Sequence, residues 1–238
     1  GYRFLLRQVV RRASLLLVPT QFVAQDVHTL YPSSKGKTIV TGEGITTFLH
    51  QDTRFVPAEP YLLYVGSAYP HKRLDLLFSA WQKMAPRYPR HQLIVAGEED
   101  VFMARHVAWV KHHQIPRVHF LGRVRDSELA ALYVHASGFV FPSSYEGMGL
   151  PPLEALAFGT PVIASDAAAL PEVLPHEGVF FFRNGDADGI IRAIDAVLSD
   201  EAAARTGAVQ GSLLVRQRFT WKQVAQCTLE AYERIVHH

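Results

Sequence analysis

Two glutamates eight positions apart flank a segment rich in glycine and proline, and their spacing suggests a shared ligand. Glu146 precedes the run Gly-Met-Gly-Leu-Pro-Pro, and Glu154 follows it. Gly147 and Gly149 lack side chains that would keep a ligand away from the backbone N–H groups. The two prolines suit the first turn of a helix, whose free N–H groups favour an anion such as a phosphate.

A carboxylate beside a phosphate is unfavourable unless it accepts hydrogen bonds from neutral donors, and sugar hydroxyls are such donors. We therefore interpret Glu146 as a partner of hexose hydroxyls and Glu154 as a partner of ribose hydroxyls. A ligand with phosphates between two polyols is a nucleotide-sugar. In the alternative interpretation, Glu146 is a solvated loop acid and Glu154 only favours the helix dipole. The complete pattern favours the interpretation in which both glutamates contact a nucleotide-sugar.

Lys72, in the segment Pro-His-Lys, is a candidate partner for the phosphates. It follows a predicted strand, at the sheet edge where the glutamates are also expected, and a lysine in such a loop suits a phosphate. Taken alone, an exposed surface lysine is the more common case.

Short apolar runs alternate with helical patterns and must position these residues. The predicted helices include residues 74–85, residues 127–136 with Asp126 as their cap, and residues 152–158 after a loop at 142–151. Such alternation predicts the α/β class with a doubly wound, Rossmann-like parallel sheet. The strands are predicted at residues 13–20, 37–44, 61–67, 91–97, 117–122, 138–143, 160–165 and 178–182.

The composition is that of a soluble globular protein, with 238 residues, 48% hydrophobic, and a net charge of +2. This balance gives no argument for nucleic acid as a partner. The single cysteine, Cys227, cannot form an intramolecular disulfide, which favours a reducing, cytoplasmic location. No apolar run reaches the length that spans a bilayer.

The first predicted helix carries Arg3, Arg7 and Arg11 on one face, with Arg12 beside them. One hypothesis is peripheral contact with the anionic inner face of a membrane. The alternative, which we favour, is a solvent-exposed helix face of a domain that is largely missing. The segment 49–60, with mixed polarity and two prolines, reads as a linker.

The segment EGMGLPPLE, followed by GTPVIAS, resembles the E-x7-E signature of retaining glycosyltransferases of the GT-B fold, family 4. YLLYVGSAYPHKRLDLLFSAW resembles the first donor-domain strand, phosphate loop and helix of that family. RVHFLGRVRDSELAALYVHASGFVFPSSYEG resembles its nucleotide-binding stretch, and FTWKQVAQCTLEAYERI its closing helix. The resemblance covers nearly all of the chain, and these motifs in this order are far more specific than a lone E-x7-E.

The resemblance implies four domain segments. Residues 1–48 would be a remnant of the amino-terminal acceptor domain, joined by the linker to a donor-binding domain at residues 61–218. Residues 219–238 would form a helix that crosses back to the amino-terminal domain. We therefore expect a fragment that binds donor but transfers sugar poorly alone.

The resemblance also implies a role for each site residue. Glu146 would contact the transferred sugar, Glu154 the ribose, and Lys72 the diphosphate, which Gly66 would allow to approach closely. Many family members carry arginine at the position of Ser67, so neutralisation would rest mainly on Lys72, with Ser67 as a hydrogen-bond donor. The remaining contacts would come from Gly147, Met148, Gly149 and Leu150 for the sugar, and from Gly122, Arg123 and Val124 for the base.

The implied reaction moves a hexose from a nucleotide-sugar to a hydroxyl of a saccharide or lipid-linked acceptor, as in polysaccharide synthesis. No cofactor or metal is expected besides the donor substrate, a GDP- or UDP-hexose, and mannose ranks ahead of glucose. Two alternatives stay open: a non-catalytic nucleotide-sugar-binding module or partner subunit, and a nucleotide-sugar 2-epimerase. A glycosidase is rejected because the glycine-rich segment has no role in it, and a dehydrogenase because no G-x-G-x-x-G follows the first strand.

Overall fold

The computed structural model describes residues 1–46 and 51–236. The chain divides into two compact units, residues 1–45 with 216–238 and residues 46–215. Part of the predicted linker, Leu49 and His50, lies outside the described residues. The rest of it includes Asp52, whose carboxylate pairs with Arg54 at 2.8 Å and with Arg125 at 3.5 Å. The predicted domain boundaries at residues 48 and 218 stay predictions.

The first unit combines a two-stranded parallel sheet with helices from both ends of the chain. Its elements are α1 (Tyr2–Arg12), β1 (Leu16–Val18), α2 (Gln21–Leu30), β2 (Thr38–Val40) and α10 (Trp221–Val236). The N–H of Ile45 donates to the carbonyl of Phe219 at 3.0 Å, which joins the two ends of the chain within this unit. The four arginines of α1 are exposed.

The second unit is built on a six-stranded, entirely parallel sheet, which confirms the predicted fold class. The strands are β3 (Tyr61–Val65), β4 (Gln92–Ala96), β5 (Val118–Gly122), β6 (Gly138–Phe141), β7 (Val162–Ser165) and β8 (Val179–Phe182). The helices are α3 (Leu74–Met84), α4 (Val101–His112), α5 (Asp126–His135), α6 (Leu150–Ala157), α7 (Leu170–Val173), α8 (Ala187–Ser199) and α9 (Glu201–Arg218), the last of which continues into the first unit.

The central strands are almost entirely apolar because both faces of the sheet are covered. Every residue of β6 and β7 is buried, and four of the five residues of β3 are buried. Strands of this kind show no alternation of apolar and polar residues, which is why continuous apolar runs predicted them.

The strand order β5-β4-β3-β6-β7-β8 places a topological switch point between β3 and β6. From β3 the chain proceeds outward through β4 and β5, then returns to add β6 on the other side of β3. The loops after β3 and β6 therefore leave the sheet in opposite directions, and a crevice forms at their carboxyl ends. Lys72 and Glu146 lie in these two loops.

Some predicted helix starts were wrong by one or two residues. Asp126 is the first residue of α5 and not its cap; the preceding residue, Arg125, is the cap, and its N–H donates to the Glu128 carboxylate at 2.8 Å. Helix α6 begins at Leu150, before the two prolines. No helix within residues 1–46 and 51–236 is both long and apolar enough to cross a bilayer.

The turn before β8 depends on a close approach between Gly178 and α9. Gly178 has φ +74°, and a Cβ there would lie 2.3 Å from the Cα of Ala208. Gly185 has a similar φ of +79° but open space around it. Alanine substitutions at these two glycines therefore separate the cost of left-handed backbone strain from the cost of a steric clash.

We expect Gly178→Ala to lower the free energy of unfolding by about 3 kcal/mol or more, because the α9 backbone must move. The control Gly185→Ala carries only left-handed strain, about 1 kcal/mol. Urea unfolding followed by circular dichroism measures both. Equal losses for the two variants would contradict the close approach.

Candidate active site

The centre of the candidate site is an ion pair between the loops that follow β3 and β6. The Lys72 Nζ donates to the Glu146 Oε1 at 2.7 Å, across a separation of 74 residues in the chain. The side chains are only 14% and 12% exposed. The ammonium also lies 5.1 Å from the ring centroid of Phe141, the last residue of β6, which adds a cation–π contact.

Hydrogen bonds to one backbone carbonyl hold these two loops together. The carbonyl of His71 accepts from the N–H of Ser144 at 2.7 Å, from the Ser144 hydroxyl at 3.1 Å and from the Ser143 hydroxyl at 3.2 Å. The Ser165 hydroxyl, at the end of β7, donates to the carbonyl of Ser143. The ends of β3, β6 and β7 are thus linked beside the ion pair.

The glycine-containing segment leads from Glu146 directly into α6. Gly149 caps this helix with φ +80°, and a Cβ there would lie 2.6 Å from the Leu170 side chain, so this position requires glycine. Met148 is 5% exposed and anchors the segment in the core. The start of α6, at Leu150, therefore lies close to Glu146 in the chain. Because Pro151 and Pro152 carry no N–H, the first turn offers an anion the N–H of Leu150 and the positive end of the helix dipole.

Glu154 lies in the second turn of α6 and has a partner that the sequence did not reveal. The hydroxyl of Tyr133, from α5, donates to the Glu154 Oε2 at 3.2 Å. The Tyr133 ring is completely buried and packs against Phe139 and Phe158. Burial raises the pKa of the Glu154 carboxyl, and the hydrogen bond from Tyr133 opposes this shift.

The loop after β3 directs one cation toward Glu146. Gly66, at its start, has φ +146°, and its N–H donates to the Ala96 carbonyl at 3.0 Å. Its role in letting a diphosphate approach closely stays a prediction. The carbonyl of Ser67 accepts from the Tyr64 hydroxyl at 2.6 Å. The guanidinium of Arg73 pairs with Asp75, with Nε 3.3 Å from the Asp75 Oδ1. Lys72 is therefore the cation that this loop directs to Glu146.

The predicted base contacts lie at the end of β5 and just after it, two strands from β3 and three from β6. Gly122 is buried and lines a cavity of about 510 Å³, whereas Arg123 is exposed and Val124 half-buried, and neither lines it. The other lining residues come from the ends of β4 and β5 and from α4: Val95, Gly97, Glu99, Asp100, Met103, Ala104, Val107 and Phe120. The volume and mostly apolar walls are typical of small-molecule sites.

The described part of the chain contains no group of three or more His, Cys, Asp or Glu side chains placed to bind a metal ion. The positive charge at the candidate site comes from Lys72 and from the start of α6.

Comparison with known proteins identifies the family. The family described as Glycosyl transferases group 1 matches residues 46–209, more than half of the chain. The chain belongs to this family. The match includes every candidate site residue from Gly66 to Glu154, so the ion pair and the cavity both lie within the part that defines a group 1 glycosyltransferase.

Curated relatives of this group 1 chain include enzymes of polysaccharide synthesis. O-antigen chain mannosyltransferase B of Escherichia coli is 29% identical, over 96% of this chain and 62% of its own length. A glycogen synthase of Mycobacterium tuberculosis is 30% identical, over 94% of this chain and 55% of its own length. The chain thus spans little more than half the length of these relatives.

Solved structures show the same GT-B fold. Sucrose-phosphate synthase from Thermosynechococcus elongatus superposes with a TM-score of 0.86 and 28% identity, covering 99% of this chain and 61% of that chain. Anabaena Alr3699/HepE, solved in complex with UDP and glucose, gives a TM-score of 0.80 at 20% identity, covering 99% of this chain and 67% of that chain. The second likeness is evidence of fold alone.

The ion pair makes a testable contribution to stability. We expect Lys72→Met to lower the free energy of unfolding by about 2 kcal/mol or more, because it leaves the Glu146 carboxylate unpaired and poorly solvated. The double variant Lys72→Met/Glu146→Gln removes that charge and should recover part of the loss. Chemical unfolding of wild type, Lys72→Met, Glu146→Gln and the double variant gives the coupling free energy between the two side chains. Additive effects would contradict an energetically coupled pair.

The raised pKa of Glu154 predicts a pH dependence of stability. Its folded pKa lies above the ordinary value of 4.5, so the folded protein holds this proton more tightly than the unfolded chain does. The contribution of Glu154 to the free energy of unfolding is therefore fully present below pH 4.5 and is lost as pH rises through the folded pKa. Glu154→Gln, which can still accept from Tyr133, should gain stability relative to wild type between pH 4.5 and pH 8. Urea unfolding midpoints of the variant and of wild type across this range test the direction of the effect. A stability advantage of the variant that becomes smaller as pH rises would contradict it.

Proposed function

We propose that this chain is the donor-binding part of a hexosyltransferase that moves a sugar from a nucleoside diphosphate to a hydroxyl acceptor. The observation that carries the proposal is the pairing of Lys72 with Glu146 at the switch point of a group 1 glycosyltransferase domain. One cation and one carboxylate, both largely shielded from water, form this pair, and the carboxylate lies four residues before the start of α6. A cation suits a diphosphate, and a carboxylate beside it suits the hydroxyls of the attached sugar.

In this proposal Lys72 serves two acceptors. Its ammonium has three N–H donors, of which one is directed to Glu146 in the free protein. The other two are available for oxygens of the diphosphate, and the start of α6 adds the N–H of Leu150 and the positive end of its dipole. Glu146 then accepts from hydroxyls of the transferred hexose, while Glu154, beside Tyr133, accepts from the ribose.

The reaction we propose retains the anomeric configuration, as in glycosyltransferase family 4. The acceptor oxygen attacks the anomeric carbon on the face from which the diphosphate leaves. The bond from that carbon to the phosphate oxygen breaks, and a leaving oxygen takes the acceptor proton. Lys72 and α6 stabilise the charge that develops on the diphosphate, without a metal ion as a required participant. The protein supplies position and electrostatic stabilisation.

We rank mannose ahead of glucose as the transferred sugar, with surface polysaccharide or lipid-linked glycans as the setting. The similarity to an O-antigen mannosyltransferase over 96% of this chain supports this ranking. The acceptor site would belong mainly to the part of the relatives that this chain does not match. A non-catalytic nucleotide-sugar-binding module remains the second candidate, because the chain spans 62% of that relative's length.

Calorimetric titration with GDP and UDP tests the proposal. We expect Lys72→Met to weaken binding of the preferred nucleotide by about tenfold or more, because it removes a cation and leaves Glu146 to repel the phosphates. The matched control Lys83→Met changes an exposed lysine on α3 and should bind like wild type. Failure of the wild-type chain to bind either nucleotide, or equal binding by Lys72→Met, would reject the proposal.

A further inference from the structure

We propose that Glu99 selects the nucleobase of the donor and that the base it selects is guanine. This inference rests on the proposed function, since it requires a nucleoside diphosphate in the candidate site. It adds a specificity-determining residue that neither the E-x7-E signature nor the phosphate loop contains.

The cavity beside Gly122 has the size and position for a base. Its volume is about 510 Å³, and it opens where β4 and β5 end, at Gly97 and Gly122. Adjacent strands lie about 4.8 Å apart, so β5 is roughly 10 Å from β3, whose loop carries Lys72. A ribose and an α-phosphate span a distance of this order. The cavity can therefore hold the base while Lys72 holds the phosphates.

The walls of this cavity suit the faces of an aromatic ring. Val95 and Phe120 come from the sheet, and Met103, Ala104 and Val107 from α4. These side chains offer apolar contact but no hydrogen-bond donors or strong acceptors that could distinguish one base from another. Discrimination among bases must therefore come from the polar groups at the edge of the cavity, which among the lining residues are the backbone of the two glycines and the carboxylates of Glu99 and Asp100.

Of these two carboxylates, Glu99 is the one placed to read a base. Its Oε1 lies 3.0 Å from the point where a Cβ of Gly122 would be, so it is directed over the glycine predicted to contact the base. Asp100 is already engaged, because its Oδ1 accepts from the N–H groups of Phe102 and Met103 and caps α4. The neighbouring Glu98 is exposed, as Glu99 is, but of the two only Glu99 lines the cavity.

A carboxylate only accepts hydrogen bonds, so it favours a base with adjacent donors. Guanine presents N1–H and N2–H₂ side by side, which matches the two oxygens of a carboxylate in a bidentate pair. Uracil presents a single N3–H between two carbonyl oxygens, and these oxygens would face the negative charge. The same side chain therefore attracts guanine and disfavours uracil, which is how specificity is usually obtained.

Calorimetric titration of GDP, inosine diphosphate and UDP tests this assignment. Inosine diphosphate lacks the 2-amino group but keeps N1–H, so it isolates one of the two hydrogen bonds. We expect wild type to bind GDP at least about tenfold more tightly than UDP, with inosine diphosphate between them. Glu99→Gln should weaken GDP binding by about tenfold, strengthen UDP binding because the repulsion of the uracil oxygens is removed, and reduce the preference for GDP over inosine diphosphate. The matched control Glu98→Gln should change none of these affinities.

The outcomes separate this inference from the proposed function. If GDP and UDP bind equally and Lys72→Met weakens both, the donor site stands and the assignment to guanine is overturned. If Glu99→Gln weakens GDP and UDP by the same factor, Glu99 does not read the base. If neither nucleotide binds to the wild-type chain, the proposed function itself fails.

Discussion

The ion pair between Lys72 and Glu146 is the interaction on which the candidate site depends. Each charge is costly to remove from water, and neither side chain is more than 14% exposed. Their contact at 2.7 Å offsets part of this cost, and the Phe141 ring beneath the ammonium adds a cation–π contact. A ligand that arrives here meets charges already desolvated and oriented, so little reorganisation is needed on binding.

The fold brings this pair together through topology and not through local sequence. Reversal of the strand order between β3 and β6 makes their loops neighbours although 74 residues separate the two side chains. Strand β6 is completely buried and β3 is buried at four of its five residues, which fixes where the loops after them leave the sheet. Helix α6 then starts within four residues of Glu146, so helix dipole and ion pair occupy the same crevice.

Much of this arrangement could be predicted from the sequence, for identifiable reasons. Continuous apolar runs predicted buried parallel strands, and glycines beside prolines predicted the loop before α6. The contact of Tyr133 with Glu154 could not be predicted, because it depends on how α5 and α6 pack, and no sequence spacing encodes that. The cap of α5 was misplaced because Asp126 is a common capping residue, whereas here Glu128 reaches back to the Arg125 N–H. Glu99 had no motif to mark it; only the cavity and its approach to Gly122 single it out.

The carbonyl of His71 accepts three hydrogen bonds from Ser143 and Ser144, and this has a bearing on how the site can evolve. Every amino acid has that oxygen, so the register of the two loops does not depend on which side chain occupies position 71. The side chain itself is exposed, next to Lys72. A substitution at position 71 can therefore add or remove a charge without loss of these three hydrogen bonds. Affinity for the proposed anionic donor can then change while the fold is maintained.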